Sequence, residues 1–250
     1  IKLRNEVIGV LGLKSQTDRE WTEDEMDIIR AVADRVANEL FWDDGNSCYG
    51  TGRHCSNAYP LYLGLVPGEY YDRAVESMLE YIRSNGHRTD TGIFATPMVF
   101  SLLAEKGYIN DLDKLLVQEE FPSYGFMRKN GATTLWETWD GKASLNHPMF
   151  GGIGAFFFKY IAGIRYISSE NSVIIEPCFI KSTDFASACH ESIYGEICVE
   201  WRRNGDGSIK INIILPGNVR GVFRHGDKII ILESGLNSLT ADETQSAEKR

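Results

Sequence analysis

The spacing of apolar residues changes character near residue 165 of this chain, and that change limits what it can fold into. Before residue 165, apolar positions recur three and four apart in stretches at 56–63, 70–84, 96–105, 109–118 and 149–164. That is the period of a helix with one buried face. From Ser168 to Ser234 they come instead in short β-branched runs: Val173-Ile174-Ile175, Ile197-Cys198-Val199-Glu200-Trp201, Ile209-Lys210-Ile211-Asn212-Ile213 and Lys228-Ile229-Ile230-Ile231-Leu232. Asn204-Gly205-Asp206-Gly207 and Pro216-Gly217-Asn218 separate runs as turns. Two separately packed regions are expected: paired helical hairpins, as in a solenoid or toroid, then an antiparallel β-sandwich. Phe156, Phe157, Phe158, Tyr160 and Ile161 make the last helical stretch apolar nearly all round, which predicts deep burial. The polar segment 237–250 is expected to be disordered.

The N-terminal residues 1–42 form a separate piece. Val7-Ile8-Gly9-Val10-Leu11-Gly12-Leu13 suits a buried strand, and residues 15–18 suit a turn. Thr22 stands three residues before Glu25, the capping-box arrangement, and opens a helix with Met26, Ile29, Ala33, Val36 and Leu40 on one face. One strand and one helix cannot bury that face alone. The opening Ile1-Lys2-Leu3-Arg4-Asn5-Glu6 is neither a signal peptide nor a start, and reads as the interior of something longer.

Charge narrows the function. With 26 basic against 35 acidic residues the net charge is −9, so no excess of Lys and Arg exists to neutralise phosphates. Nucleic acid and anionic membranes are excluded as partners, whereas neutral ligands such as sugars fit. No run of 18 apolar residues occurs, so no membrane-spanning helix is expected. The five cysteines are odd in number and lack C-x-x-C spacing, which predicts reduced thiols and a cytoplasmic location. Cys48, His54 and Cys55 lack a second closely spaced ligand pair, so no metal is expected. Gly151-Gly152-Ile153-Gly154 has no strand leading into it and suits tight helix packing rather than a phosphate cradle, so no cofactor is expected.

The densest chemistry lies in Gly131-Ala132-Thr133-Thr134-Leu135-Trp136-Glu137-Thr138-Trp139-Asp140-Gly141 and Ser144-Leu145-Asn146-His147-Pro148-Met149-Phe150-Gly151. A carboxylate between two indoles suits sugar chemistry. Indole faces stack on the C–H faces of a pyranose, and a carboxylate can bind hydroxyls or activate water. The same pattern also occurs in plain cores and turns.

These motifs resemble those of the bacterial α-L-rhamnosidases of glycoside hydrolase family 78. Leu61 to Pro67, Thr91-Gly92-Ile93-Phe94-Ala95-Thr96, Tyr124-Gly125-Phe126-Met127, Gly131 to Asp140 and Asn146 to Gly151 follow in that family's order. The β-rich region is similar to the sandwich domain that follows the catalytic domain there. Residues 1–42, with Glu6-Val7-Ile8-Gly9-Val10-Leu11 and Trp21-Thr22-Glu23-Asp24-Glu25, resemble the C-terminal end of a GAF domain. The resemblance implies a mixed α and β, multi-domain chain: a GAF-like strand–helix over 1–42, part of an (α/α)6 six-hairpin toroid over 46–167 and a β-sandwich over 168–236.

It further implies inverting hydrolysis of terminal α-L-rhamnosides. Glu137 would be the general base, and His147 would contact the sugar. Trp136, Trp139, Asn146 and Tyr124 would wall the pocket, with Tyr124 standing where many relatives carry tryptophan. The ligand would be an L-rhamnose-containing glycoside.

The family's general acid is a Glu in an acidic, Arg-containing segment of the first half of the toroid, and nothing between Ile1 and Gly50 matches it. Asp43-Asp44 reads as a polar turn, and Glu23-Asp24-Glu25 as charge favoured at a helix N-terminus. The expectation is therefore a truncated, rhamnosidase-like chain with little or no turnover. Its alternative is a carbohydrate-binding or regulatory protein. Five helices cannot close a twelve-helix ring, so an apolar face should lie exposed. That face and the N-terminal helix are the two seams offered for self-association.

Overall fold

The computed structural model describes residues 38–242 continuously, together with 2–3, 6–7, 22–24, 27 and 31–32. Most of the N-terminal strand and helix expected from the sequence, and the end of the polar tail, lie outside these residues. Strands β1 (Lys2–Leu3) and β2 (Glu6–Val7) pair antiparallel. The chain divides into two compact units, Ile1–Leu79 and Glu80–Arg250.

In the first unit, β3 (Trp42–Asp43) and β4 (Cys48–Tyr49) make a short hairpin. Its turn forms because Asp43 accepts both the backbone N–H and the side-chain amide of Asn46, at 3.1 and 2.7 Å. Helix α1 (His54–Tyr62) follows, then the start of α2 (Gly68–Ser84). Arg73 of α2 donates to Asp44 and to the Ser47 hydroxyl, and Trp42 stacks on Tyr70 at 4.6 Å. The segment expected to be a polar turn is one, and it is also clamped to a helix.

The second unit begins with the last turn of α2. Gly86 and His87, with φ of +74° and +57°, turn the chain back. Buried Asp111 at the start of α4 (Ile109–Val117) receives Arg83 Nη2 at 2.7 Å and His87 Nε2 at 2.8 Å. Burial pushes that carboxyl upward, and the hydrogen bonds and charges of Arg83 and His87 more than reverse it, so it lies below the ordinary aspartate value. Helix α3 (Ala95–Glu105) is mostly buried and meets Phe156 through Phe100, with rings 5.6 Å apart. A short helix not expected from the sequence, α5 (Tyr124–Lys129), is capped by the Ser123 hydroxyl, which accepts from Phe126 N at 3.0 Å.

The expected helix at 149–164 resolves into a 3₁₀ turn (Pro148–Gly152), one α-turn, α6 (Ile153–Phe156), and a π-helical turn (Phe157–Ile161). Its burial is one-sided. Phe156, Tyr160 and Ile161 are buried, whereas Phe157 and Phe158 are 45% and 47% exposed, contrary to the deep burial expected of all three phenylalanines. Composition alone does not show how many neighbours a helix has.

The β region holds two four-stranded sheets. One has the order β11-β10-β6-β5 and the other β12-β9-β8-β7. Their ranges are β5 Ile164–Ile167, β6 Ser172–Ile175, β7 Phe185–Ser192, β8 Gly195–Arg203, β9 Ser208–Leu215, β10 Arg220–His225, β11 Lys228–Leu232 and β12 Gly235–Asp242. Alternation sets the core: Ile197, Val199, Trp201, Ile209, Ile211, Ile213 and Leu215 point in, while Glu200, Lys210 and Ile214 point out. The Phe179 ring touches both sheets, edge-on to Trp201 at 5.1 Å and to His225 at 5.3 Å. Gly221 of β10 faces Leu215 so closely that a Cβ would lie 2.3 Å from Leu215 Cδ1.

The sheets correct three expectations. The sandwich is not wholly antiparallel, because β10 pairs with β6 in parallel after the long return of the chain. The tail expected to be disordered from residue 237 begins as strand β12, whose Leu239 and Ala241 pair with Ile211 and Ile209; residues 243–250 lie outside the description. The cysteines are not all thiols: Cys189 and Cys198 are direct partners in the β7–β8 register, Cα atoms 4.1 Å apart, and form a disulfide. Cys48, Cys55 and Cys178 remain free, and burial pushes the Cys178 thiol up to about 11. The thiol argument for a cytoplasmic location falls with that bond. Among the described residues, no helix is long and apolar enough to cross a membrane.

Candidate active site

The segment from Gly131 to Gly151 has almost no regular structure, so polar contacts and buried aromatics must hold it. Two backbone hydrogen bonds set its frame: Glu137 N–H donates to the Ser144 carbonyl and His147 N–H to the Leu135 carbonyl, each at 2.8 Å. Residues 135–137 and 144–147 therefore run side by side, and Glu137, Asn146 and His147 belong to one ladder. Thr134 ties the same two segments together through its hydroxyl, which donates to the Leu145 carbonyl.

Glu137 is half-buried, and its Oε2 accepts the Ser144 N–H at 3.2 Å. Ser144 thus grips Glu137 twice, once through each backbone group. His147 is also half-buried and caps the following 3₁₀ turn, its Nδ1 accepting from Met149 N at a long 3.4 Å. That role leaves Nε2 as the ring's donor. Asn146 is exposed, and its backbone N–H and carbonyl both meet the Ser144 hydroxyl at 3.3 Å.

The aromatic residues expected to wall a pocket lie behind this ladder. Trp136, Trp139, Phe150 and Met127 form one buried cluster, with Tyr124, Ile93 and Leu135 packed on it. Trp139 lies against Phe150 at 4.1 Å, and its indole N–H donates at 2.7 Å to the Thr91 carbonyl, 48 residues away in the chain. Tyr124 meets Trp139 edge-on at 5.1 Å and spends its hydroxyl on the Phe150 carbonyl at 2.9 Å. Burial raises its phenol well above the ordinary tyrosine range, so the group stays a donor. The two indoles are 8% and 9% exposed, which makes them the floor beneath the loop rather than an open stacking surface.

Three contributors lie inside the sequence motifs without standing out there as site residues. Thr91 accepts Trp139, and its hydroxyl shares a hydrogen bond with that of Thr96 at 2.8 Å, so loop and α3 are joined below the surface. The Ser144 backbone holds the carboxylate. Asp140 caps its own turn, with Oδ1 accepting from Thr138 Oγ1 at 2.8 Å and Lys142 N at 3.2 Å while Oδ2 meets Lys142 Nζ at 3.0 Å. Lys142 first, then Thr138, hold the Asp140 carboxyl down to about 2. The Asp-Gly pair at 140–141 is the available signal, because Asp bonds its own backbone two residues on and Gly accepts positive φ. Among the described residues no group of His, Cys, Asp and Glu is placed to hold a metal ion.

Comparison with known proteins shows the family. Residues 8–161 match the bacterial alpha-L-rhamnosidase 6 hairpin glycosidase domain, and residues 171–223 match the bacterial alpha-L-rhamnosidase C-terminal domain. The first match starts inside the segment that resembles a GAF end, a likeness that gains no support. An alpha-L-rhamnosidase of Alteromonas sp. (strain LOR) is 27% identical over 206 residues, 78% of this chain and 22% of the relative. One from Formosa agariphila is 28% identical over 203 residues, 76% of this chain and again 22% of the relative.

Among solved structures, alpha-L-rhamnosidase from Dictyoglumus thermophilum superposes with a TM-score of 0.77 at 28% identity, covering 88% of this chain and 29% of that one. Streptomyces avermitilis alpha-L-rhamnosidase, solved in complex with L-rhamnose, shares the fold with a TM-score of 0.79 at 21% identity, covering 88% of this chain and 24% of that one. A helical region followed by β-sheets is the arrangement these structures share with it. The chain spans about a fifth of the length of the curated relatives it matches, 22% in each of these two, and it belongs to the bacterial α-L-rhamnosidase six-hairpin glycosidase family.

Proposed function

We propose that this chain carries the general-base half of an inverting α-L-rhamnoside hydrolase site. Glu137 is the base, His147 and Asn146 are contacts for sugar hydroxyls, and Trp136, Trp139 and Tyr124 are the packed floor behind them. The division into a catalytic part from residue 46 and a following sandwich, whose strands run from Ile164 to Asp242, belongs to the same reading. Its main support is the Glu137 carboxylate itself, fixed by an amide donor and set in one ladder with an exposed Asn and a half-buried His. A carboxylate so held can take a proton from water as that water attacks.

Inversion needs a second carboxyl, about 6.5–9.5 Å away, that arrives protonated and donates to the leaving oxygen. Between residues 131 and 151 Asp140 is the only other carboxylate, and with its pKa near 2 it has no proton to give at neutral pH. Nothing in residues 1–50 matches the acidic, Arg-containing segment that supplies the general acid in this family, so these 250 residues are expected to hold a rhamnoside with little or no turnover, since losing general acid catalysis alone costs about 10²–10⁴-fold.

The test is turnover of an aryl α-L-rhamnoside by this chain beside Glu137→Gln. Neither protein should release product. Product released by the parent and not by Glu137→Gln would reveal a general acid within these residues and overturn the half-site reading.

A further inference from the structure

Glu137 and Ser144 close a loop of which the six residues 138–143 belong to no helix or strand. A carboxylate at the mouth of such a loop is only as well placed as the loop is rigid, because unfixed backbone would let the Ser144 N–H swing away. The stiffness has an identifiable source. Asp140, midway round, ties Thr138 on one side and the Lys142 backbone on the other with Oδ1, and the Lys142 ammonium with Oδ2. Inside that knot Gly141 N–H donates to the Thr138 carbonyl at 3.1 Å. Gly141 takes φ of +69°, and a Cβ there would come within 2.9 Å of the Trp136 ring. The turn is thus locked from within by Asp140 and seated from below on the indole.

We propose that Asp140 is a positioning residue for Glu137: its Oδ1, as acceptor for Thr138 and Lys142 N, fixes the 138–143 turn and so delivers the Ser144 N–H to the Glu137 carboxylate. This rests on reading Glu137 as the base. Asp140 touches no reacting atom in this scheme and acts through Ser144.

The test follows the Ser144 amide by ¹H–¹⁵N NMR of the full chain as pH is lowered through the carboxylate range. In the parent protein the Ser144 signal should move as the carboxylate it meets gains a proton, and in Glu137→Gln that movement should be lost. Asp140→Ala should lose it too, with amides of β8 and β9 unmoved to show that the fold persists. Asp140→Asn keeps an Oδ1 acceptor for Thr138 and Lys142 N, and should retain the movement. A parent-like Ser144 response in Asp140→Ala, or its loss in Asp140→Asn, would overturn the proposal. No sugar enters this readout, so a failure to bind rhamnose would count against the functional reading and leave the positioning role standing.

Discussion

The two halves of the second unit solve the same packing problem differently. In the β region every second residue of β8 and β9 reaches a shared interior, and Ile197, Trp201, Ile209, Ile211 and Ile213 are fully buried. The helical region buries α3 nearly throughout but only one side of the turns at 153–161, and exposed apolar side chains occur in both regions, Phe94, Phe157 and Phe158 in one and Ile193, Ile229 and Ile231 in the other. A sheet fixes its partners through register, so alternation alone completes the core. A short helix fixes only which residues share a stripe, and the candidate site, lying between helices, depends on individual contacts such as Trp139 to Thr91. The β region should therefore carry most of the unit's stability, and the site segment most of its vulnerability to single polar losses.

The largest effect expected from breaking this contrast is at Trp201. Its indole is fully buried, and its N–H donates to the Ile161 carbonyl at 2.8 Å. Trp201→Ala should cost about 3–5 kcal/mol in urea unfolding, the range for deleting a large buried aromatic side chain. A loss below about 1 kcal/mol would mean that the sheets are not the stable partner.

Legibility in the sequence followed the same divide. Strands β6, β8, β9 and β11 were visible because a β-branched run shows itself without context. Strands β5, β7, β10 and β12 were not. Strand β7, Phe185-Ala186-Ser187-Ala188-Cys189-His190-Glu191-Ser192, alternates only between exposed and half-buried at a sheet edge, where small side chains suffice. The Cys189–Cys198 bond was hidden for a related reason, since a separation of nine becomes adjacency only once the hairpin register is known. The boundaries of α1 to α4 were close, but the stretch at 149–164 broke into three short turns, and α5 is six residues long, too short to display a period. In the site, Glu137 and its indole neighbours stood out by residue type. That both indoles lie buried, and that Asp140 and Ser144 hold the turn, depended on a loop conformation that no periodicity encodes.

A smaller effect is expected in the site segment, where Trp139→Phe keeps an aromatic ring and removes the N–H. The buried Thr91 carbonyl then loses its indole donor, a cost of about 1–3 kcal/mol for an unmade buried hydrogen bond. Differential scanning calorimetry beside Trp201→Ala would rank the two. Equal losses would erase the distinction drawn between the regions.

The central claim, that the Glu137 loop is a half-site for rhamnose, is tested most directly by titrating L-rhamnose into the ¹⁵N-labelled chain. The account predicts saturable shifts confined to amides of residues 135–147, with β8 and β9 unmoved and weaker binding in His147→Ala. Signals from 135–147 that stay still at saturating sugar, or shifts centred on the sheets, would contradict it.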